Sequence, residues 1–291
     1  MAGIRVESGL LVAERCSVAG DQNRCAEIEQ IVAIARAAGD RILDVYRRDF
    51  RVDSKADGSP LTEADTAANQ LIAEQLAALK PSRPLLSEEE RQVGYSERAG
   101  WHQYWLVDPL DGTREFTSRN GEFTVNIALI EGRRPVLGVV HVPVSGVTYL
   151  ACQGLGAFRE EADGTRRKIH VRVYDGGRAT VVASRSHPGP ELGKFLARLK
   201  VREGEYDTAS LGSSLKICMV AEGSADVYPR LGPTSEWDTA AAQCVLEVAG
   251  GRLTNPDGEP LIYNKESLLN PWFLASGGGA YDWTSVMKGD D

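Results

Sequence analysis

The stretch from Tyr104 to Phe116, Tyr-Trp-Leu-Val-Asp-Pro-Leu-Asp-Gly-Thr-Arg-Glu-Phe, constrains this chain more than any other. Its apolar run Trp105-Leu106-Val107 drives a strand into a core and delivers Asp108 at the strand's end. Pro109 forces a turn, so Asp111 comes back toward Asp108 instead of alternating away from it. Gly112 and Thr113 then open a short helix whose free N–H groups suit an anion. Two carboxylates this close repel, and one takes up a proton unless a cation sits between them. A hard divalent ion such as Mg²⁺ resolves the conflict and keeps open positions for a phosphate. The competing reading is a plain strand-to-turn connection in which both aspartates cap backbone donors.

Three further acidic segments bear on that choice. In Pro84-Leu-Leu-Ser-Glu-Glu-Glu90 a short apolar strand again ends in acid, so Glu88 can join the same site from a neighbouring strand. Alternatively the three glutamates are a solvated charge run. In Gly232-Pro-Thr-Ser-Glu-Trp-Asp-Thr-Ala-Ala-Ala, Asp238 opens an alanine-rich helix and is either a ligand or that helix's cap. Glu236 stands there where an apolar residue is expected. In Lys55-Ala-Asp-Gly-Ser-Pro-Leu-Thr-Glu-Ala-Asp65, Thr62 and Asp65 have the spacing of an N-cap pair.

Composition excludes more than it selects. At 291 residues, 42% hydrophobic and 25% charged, the chain suits one large domain or two lobes. A net charge of −8 argues against a nucleic-acid polymer as partner, since nothing basic tracks a phosphate backbone. It leaves room for a small anion, because bound cations reverse the local field. The five cysteines, Cys16, Cys25, Cys152, Cys218 and Cys244, are widely spaced and lack a Cys-x-x-Cys. The spacing predicts neither a disulfide framework nor a zinc site, and points to a reducing cytoplasm. Leu10-Leu-Val-Ala13 is too short for a signal sequence, and no apolar run reaches membrane-spanning length. A Gly-x-Ser-x-Gly, a complete Gly-x-Gly-x-x-Gly and a correctly spaced phosphate loop are all missing.

Hydrophobic periodicity predicts helices over 25–48 and 63–80, then strands at 84–87, 104–108, 123–130, 135–142, 147–151 and 168–173. Thr124, Asn126 and Ala128 alternate with Val125, Ile127 and Leu129, as in a half-buried strand. Beyond about residue 178 the texture becomes α/β: strands at 179–184, 205–209, 225–229 and 272–276, with helices at 190–200, 213–222 and 238–249. The expected organisation is a loose leader over 1–24, an α+β lobe over 25–175 carrying most metal ligands, and an α/β lobe over 176–291 carrying substrate recognition.

Taken together, the four acidic segments resemble the inositol monophosphatase superfamily of magnesium-dependent, lithium-sensitive phosphatases. The resemblance runs in order from about Ala26 to Met287. Within it, Asp111-Gly-Thr-Arg-Glu-Phe, Arg119-Asn-Gly-Glu-Phe-Thr-Val-Asn-Ile-Ala-Leu-Ile and Gly212-Ser-Ser-Leu-Lys are most similar to bacterial 3'(2'),5'-bisphosphate nucleotidases. That resemblance implies a layered αβαβα fold and hydrolysis of adenosine 3',5'-bisphosphate (PAP) to AMP, with its sulfated analogue PAPS also a substrate, in sulfur metabolism. It further implies two or three Mg²⁺ ions, with Mn²⁺ able to replace them. Glu88, Asp108, Asp111 and Asp238 would hold the ions, with the Leu110 carbonyl added by resemblance. The ions would neutralise the phosphate and lower the pKa of a water. Thr113, paired with Asp65, would activate that water by resemblance, while Gly112 and Thr113 N–H groups hold the phosphate. Glu88 and Asp238 would also border the substrate.

Recognition falls to the second lobe, because the metal site reads only the scissile phosphate. Gly212-Ser213-Ser-Leu-Lys216 offers N–H groups, hydroxyls and an ammonium to a second phosphate, and Arg230 a fork of donors. Ser184-Arg-Ser-His187 follows an apolar strand, and in the resembling nucleotidases such a histidine lies against the adenine. The competing readings are a capped helix start, a surface arginine and an ordinary surface loop. The alternative functions are an inositol-phosphate or sugar-phosphate phosphatase, and a catalytically inactive binding protein. Cytoplasmic location has one alternative by resemblance, a peripheral position on the inner face of the cell membrane.

Overall fold

The computed structural model describes residues 25–54, 60–90, 93–184 and 189–288. Helix α1 (Ile28–Tyr46) buries Ile28, Ile31, Val32, Ala35, Ala38, Ile42 and Val45 along one stripe. Strands β1 (Val52–Ser54) and β2 (Pro60–Thr62) form a short antiparallel pair leading into α2 (Glu63–Ala78). The Thr62 side chain caps α2 while Asp65 accepts from the Thr62 N–H, the reciprocal box that the spacing predicts.

A seven-stranded sheet follows, in the order β3 (Leu85–Ser87), β4 (Gln103–Asp111), β5 (Thr124–Glu131), β6 (Arg134–His141), β7 (Thr148–Cys152), β8 (Gly156–Glu160) and β9 (Arg166–Lys168). Only β3 and β4 run parallel. The short helices α3 (Tyr95–Arg98) and α4 (Thr113–Thr117) flank β4. The period-two alternation of β4 splits its side chains between two cores. Trp105 and Val107 face α1 and α2, while Tyr104 and Leu106 face the opposite side.

That opposite side is covered by α6 (Leu215–Ala221) and α7 (Glu236–Val248). A second sheet lies beyond them, in the order β11 (Asp207–Leu211), β10 (Thr180–Ser184), β12 (Val227–Arg230), β14 (Phe273–Ser276) and β13 (Arg252–Thr254). Its far face packs on α5 (Pro190–Glu203) and α8 (Trp283–Lys288) around Phe195, Leu199, Trp283 and Val286. The five layers are therefore helix, sheet, helix, sheet, helix, as expected. Because α7 lies between two sheets it is apolar nearly all round, with Ala240, Ala241, Ala242, Cys244, Val245 and Leu246 buried. Gly138 of β6 lets it seat closely. A Cβ there would collide with the Ala241 carbonyl and come within 2.8 Å of Cys244 Cβ.

Several local expectations change. Strand β5 is buried on both faces, because helices cover both sides of its sheet. Residues 169–173 are not a strand; β9 ends at Lys168, and Val173 makes only a single bridge to Gly278. Strands β8 and β13 and helix α8 carry no clear sequence period. The largest correction concerns cysteine. Cys25 and Cys152 form a disulfide tying the start of α1 to the end of β7. They lie 127 residues apart, a separation no local motif reveals, and the pair removes the cysteine argument for a reducing compartment. Cys218 and Cys244 are free and buried, and Cys16 lies outside the described residues. Among the described residues no helix is long and apolar enough to cross a membrane.

Candidate active site

The register of β4 against β5 slips between Asp108 and Asp111, so Pro109-Leu110 bulges and both aspartates reach one cavity. The Leu110 N–H donates to Asp108 Oδ1 at 3.0 Å, which fixes that buried carboxylate. Beside it, the Glu88 N–H extends the parallel pairing by donating to Val107 O at 3.2 Å. Asp238 enters from the first turn of α7, where its Oδ2 accepts the Ser235 N–H at 2.8 Å. Glu88, Asp108 and Asp238 each place one oxygen within 4.8 Å of the other two. Burial, then the charges of Asp111 and Glu88, push the Asp238 carboxyl well above its usual range. Such a crowded, all-oxygen set fits a hard divalent cation better than zinc.

Asp111 lines the same cavity, of about 360 Å³, but stands outside that tight triangle. Its Oδ2 accepts from Ser214 N at 2.6 Å, Ser214 Oγ at 2.8 Å, Asn126 Nδ2 at 3.3 Å and Thr124 Oγ1 at 3.4 Å. Burial raises its pKa, against the Lys216 ammonium and the Ser214 and Asn126 bonds. Ser214 Oγ also lies 2.7 Å from the Asp238 carbonyl oxygen and accepts from Asn126 Nδ2 at 2.9 Å. Its one hydrogen therefore serves two acceptors, and the residue joins Asp111 to the turn carrying Asp238. Sequence reasoning missed both Ser214 and Asn126. The only signal for Ser214 is its place beside Ser213 at the mouth of a helix.

Gly112 caps α4 in the left-handed region, at φ 92°, where a side chain would be strained. The next residue, Thr113, puts Oγ1 3.4 Å from Asp65 Oδ1 and 3.4 Å from the Leu110 carbonyl oxygen. Asp65 Oδ2 meanwhile accepts from Thr62 N at 2.8 Å and Thr62 Oγ1 at 2.7 Å. The capping and Thr113-partner readings of Asp65 thus coexist, one on each oxygen.

Two cations line the same cavity, Lys216 and Arg230. Ser213 adopts φ 45°, and Lys216 Nζ donates to its carbonyl at 2.7 Å while lying 5.6 Å from the Tyr228 ring centre. Burial draws the Lys216 pKa down to about 8, although Asp111, Glu115 and Glu122 pull it upward. Arg230 Nη2 donates to Pro233 O at 2.9 Å, and its buried Nε meets no partner among the described residues. Glu88, Asp108, Leu110, Asp111, Gly112, Thr113, Ser213, Lys216, Arg230 and Asp238 all line this one cavity. Ser184 ends β10, and His187 lies outside the described residues. Glu236, the acid in an apolar position, is fully buried but satisfied. It accepts from Asn264 N at 2.8 Å, Lys265 N at 2.9 Å and Lys265 Nζ at 2.6 Å.

Comparisons with known proteins identify relatives of the whole chain. Residues 25–278 match the inositol monophosphatase family. The 3'(2'),5'-bisphosphate nucleotidase CysQ of Escherichia coli (strain K12) is 50% identical over 252 residues, which is 86% of this chain and 99% of that protein. The crystal structure of CysQ from Bacteroides thetaiotaomicron has a TM-score of 0.75 at 42% identity, covering 88% of this chain and 97% of the other. An IMPase of Thermotoga maritima gives 0.74 at 25% identity, covering 90% and 97%.

Proposed function

The chain belongs to the inositol monophosphatase family, and we propose that it is a metal-dependent 3'(2'),5'-bisphosphate nucleotidase that converts PAP to AMP and phosphate, with PAPS to APS as a second reaction. The observation that carries this reading is one cavity lined by two unlike sets of groups, the carboxylates of Glu88, Asp108 and Asp238 and the cations of Lys216 and Arg230. A substrate with two phosphates uses both sets. An inositol monophosphate uses the acidic set alone and leaves the cationic pair without an anion.

We assign Mg²⁺, with Mn²⁺ as a substitute, to Glu88, Asp108, Asp111, Asp238 and the Leu110 carbonyl. When bound it supplies charge neutralisation at the phosphate and lowers the pKa of a water. The residues do the positioning. Thr113 Oγ1 accepts a hydrogen bond from the attacking water while its own hydrogen turns to Asp65 Oδ1, since a threonine alone has little basicity. Gly112 and Thr113 offer N–H donors to the scissile phosphate. Lys216, Arg230 and Ser213 hold the phosphate that stays.

Phosphate release from PAP, PAPS, 3'-AMP and myo-inositol 1-phosphate, with and without EDTA, tests this. PAP should be the fastest. EDTA or Asp111→Asn should lower turnover by several orders of magnitude, about 4 kcal/mol or more. Faster release from the inositol phosphate, or turnover surviving EDTA, overturns the reading.

A further inference from the structure

The phosphate-binding groups leave one part of the cavity unexplained. Leu269 lines it and is 59% exposed, an apolar side chain in the cavity that holds the carboxylates. Exposed Pro233 and half-buried Trp237, the latter packed in part on the core, also line the cavity. The loop that presents Leu269 is tied down.

The ties are many. Ser235 and Leu269 form an antiparallel bridge, Glu236 N donates to Leu268 O at 2.9 Å, and Asn270 N donates to Thr234 O at 2.8 Å. Asn270 Nδ2 reaches Ser235 O at 2.7 Å and Thr239 Oγ1 at 3.1 Å. At the other end, buried Glu236 grips Asn264 and Lys265, and Arg98 donates to Asn264 Oδ1 at 2.9 Å and Glu266 O at 2.8 Å. The unexpected acid beside the Trp-Asp pair thus anchors the loop that presents Leu269, and Asp238 lies on the same helix turn.

We infer that Leu269, which shares its cavity with Trp237, seats the flat face of the substrate's nucleobase and makes the enzyme select a nucleotide over a bare sugar phosphate. This rests on the bisphosphate nucleotidase reading. A leucine and an indole offer a base no polar partners from their carbon faces, so they recognise its presence through apolar and stacking contact. The rigid loop keeps that surface in place before substrate arrives, which lowers the ordering cost of binding.

The test compares wild type, Leu269→Ala and Leu269→Met on PAP and on methyl ribofuranoside 3,5-bisphosphate, which keeps both phosphates and lacks the base. Truncation should raise KM for PAP about 5- to 10-fold with kcat unchanged, as loss of a partly buried leucine contact predicts. Leu269→Met should restore KM, and the base-free substrate should have the same KM in all three proteins. An unchanged KM for PAP, or an equal rise on both substrates, overturns the inference while leaving PAP hydrolysis itself intact. A wild type that prefers myo-inositol 1-phosphate to PAP overturns the underlying reading as well.

Discussion

Replacing Lys216 with methionine keeps most of the side chain's volume and removes its charge. Burial draws the Lys216 pKa from the ordinary 10.5 to about 8. That displacement corresponds to about 3 kcal/mol, so the substrate-free protein holds this ammonium at a disadvantage. Below about pH 8 both folded and unfolded chains carry the proton, and the full penalty applies. Between about 8 and 10.5 the unfolded chain binds a proton the folded one lacks, so the folded state gains as pH rises. At pH 7, Lys216→Met relieves the penalty and gives up one hydrogen bond to Ser213 O, worth about 1 kcal/mol. Its melting temperature should therefore equal or exceed that of wild type. Activity should move the other way. A charge-assisted bond to the uncleaved phosphate is worth about 1.5–3 kcal/mol, so kcat/KM for PAP should fall roughly 10- to 100-fold. Hydrolysis of 3'-AMP, which lacks the 5'-phosphate, should hardly change. The assay is a thermal melt at pH 7 with two-by-two kinetics at saturating Mg²⁺. Equal losses on both substrates, or a lower melting temperature with unchanged PAP kinetics, would refute the reasoning.

Ser214→Ala keeps the N–H bond to Asp111 but loses the hydroxyl, and should raise the Mg²⁺ half-saturation about tenfold. Calorimetric titration of the substrate-free protein with Mg²⁺ checks this, and an unchanged affinity would make Ser214 incidental. Millimolar Li⁺ should inhibit PAP hydrolysis where equal K⁺ does not; full activity in Li⁺ would separate the chain from the lithium-sensitive phosphatases. Cys25→Ser should lower the melting temperature by roughly 5–10 °C, from about 2–4 kcal/mol for a long closed loop. A reductant should bring wild type to the same value, and a wild type indifferent to reductant would speak against the bond.

The acids are legible in the sequence because each closes an apolar strand or opens a helix, positions that local pattern reveals. Asp108 follows Trp105-Leu106-Val107, and Asp238 stands in the first turn of an alanine-rich helix. What supports them is hidden, since it depends on pairs far apart in the chain. Ser214 reaches Asp111 across 103 residues, and Glu236 reaches Asn264 across 28. The distance from Cys25 to Cys152 hides their bond in the same way. The longer helices and most strands follow periodicity, whereas α8, β8 and β9 do not, and β8 and β9, with charged residues among few apolar ones, follow their neighbours in the sheet. One acid can also make two sets of contacts. Asp65 shows both of its readings at once, and no spacing rule ranks them.

Gly138 does not line the cavity, yet its close contact bears on where one of the cavity's carboxylates sits. The Ala241 carbonyl it abuts lies three residues past Asp238, less than one helical turn along α7. Any side chain at position 138 would wedge that turn away from the sheet, carrying Asp238 outward while Glu88 and Asp108 stay fixed beside β3 and on β4. The seating of Asp238 against Glu88 and Asp108 thus rests on the thickness of one helix-on-sheet contact, at a residue with no side chain of its own.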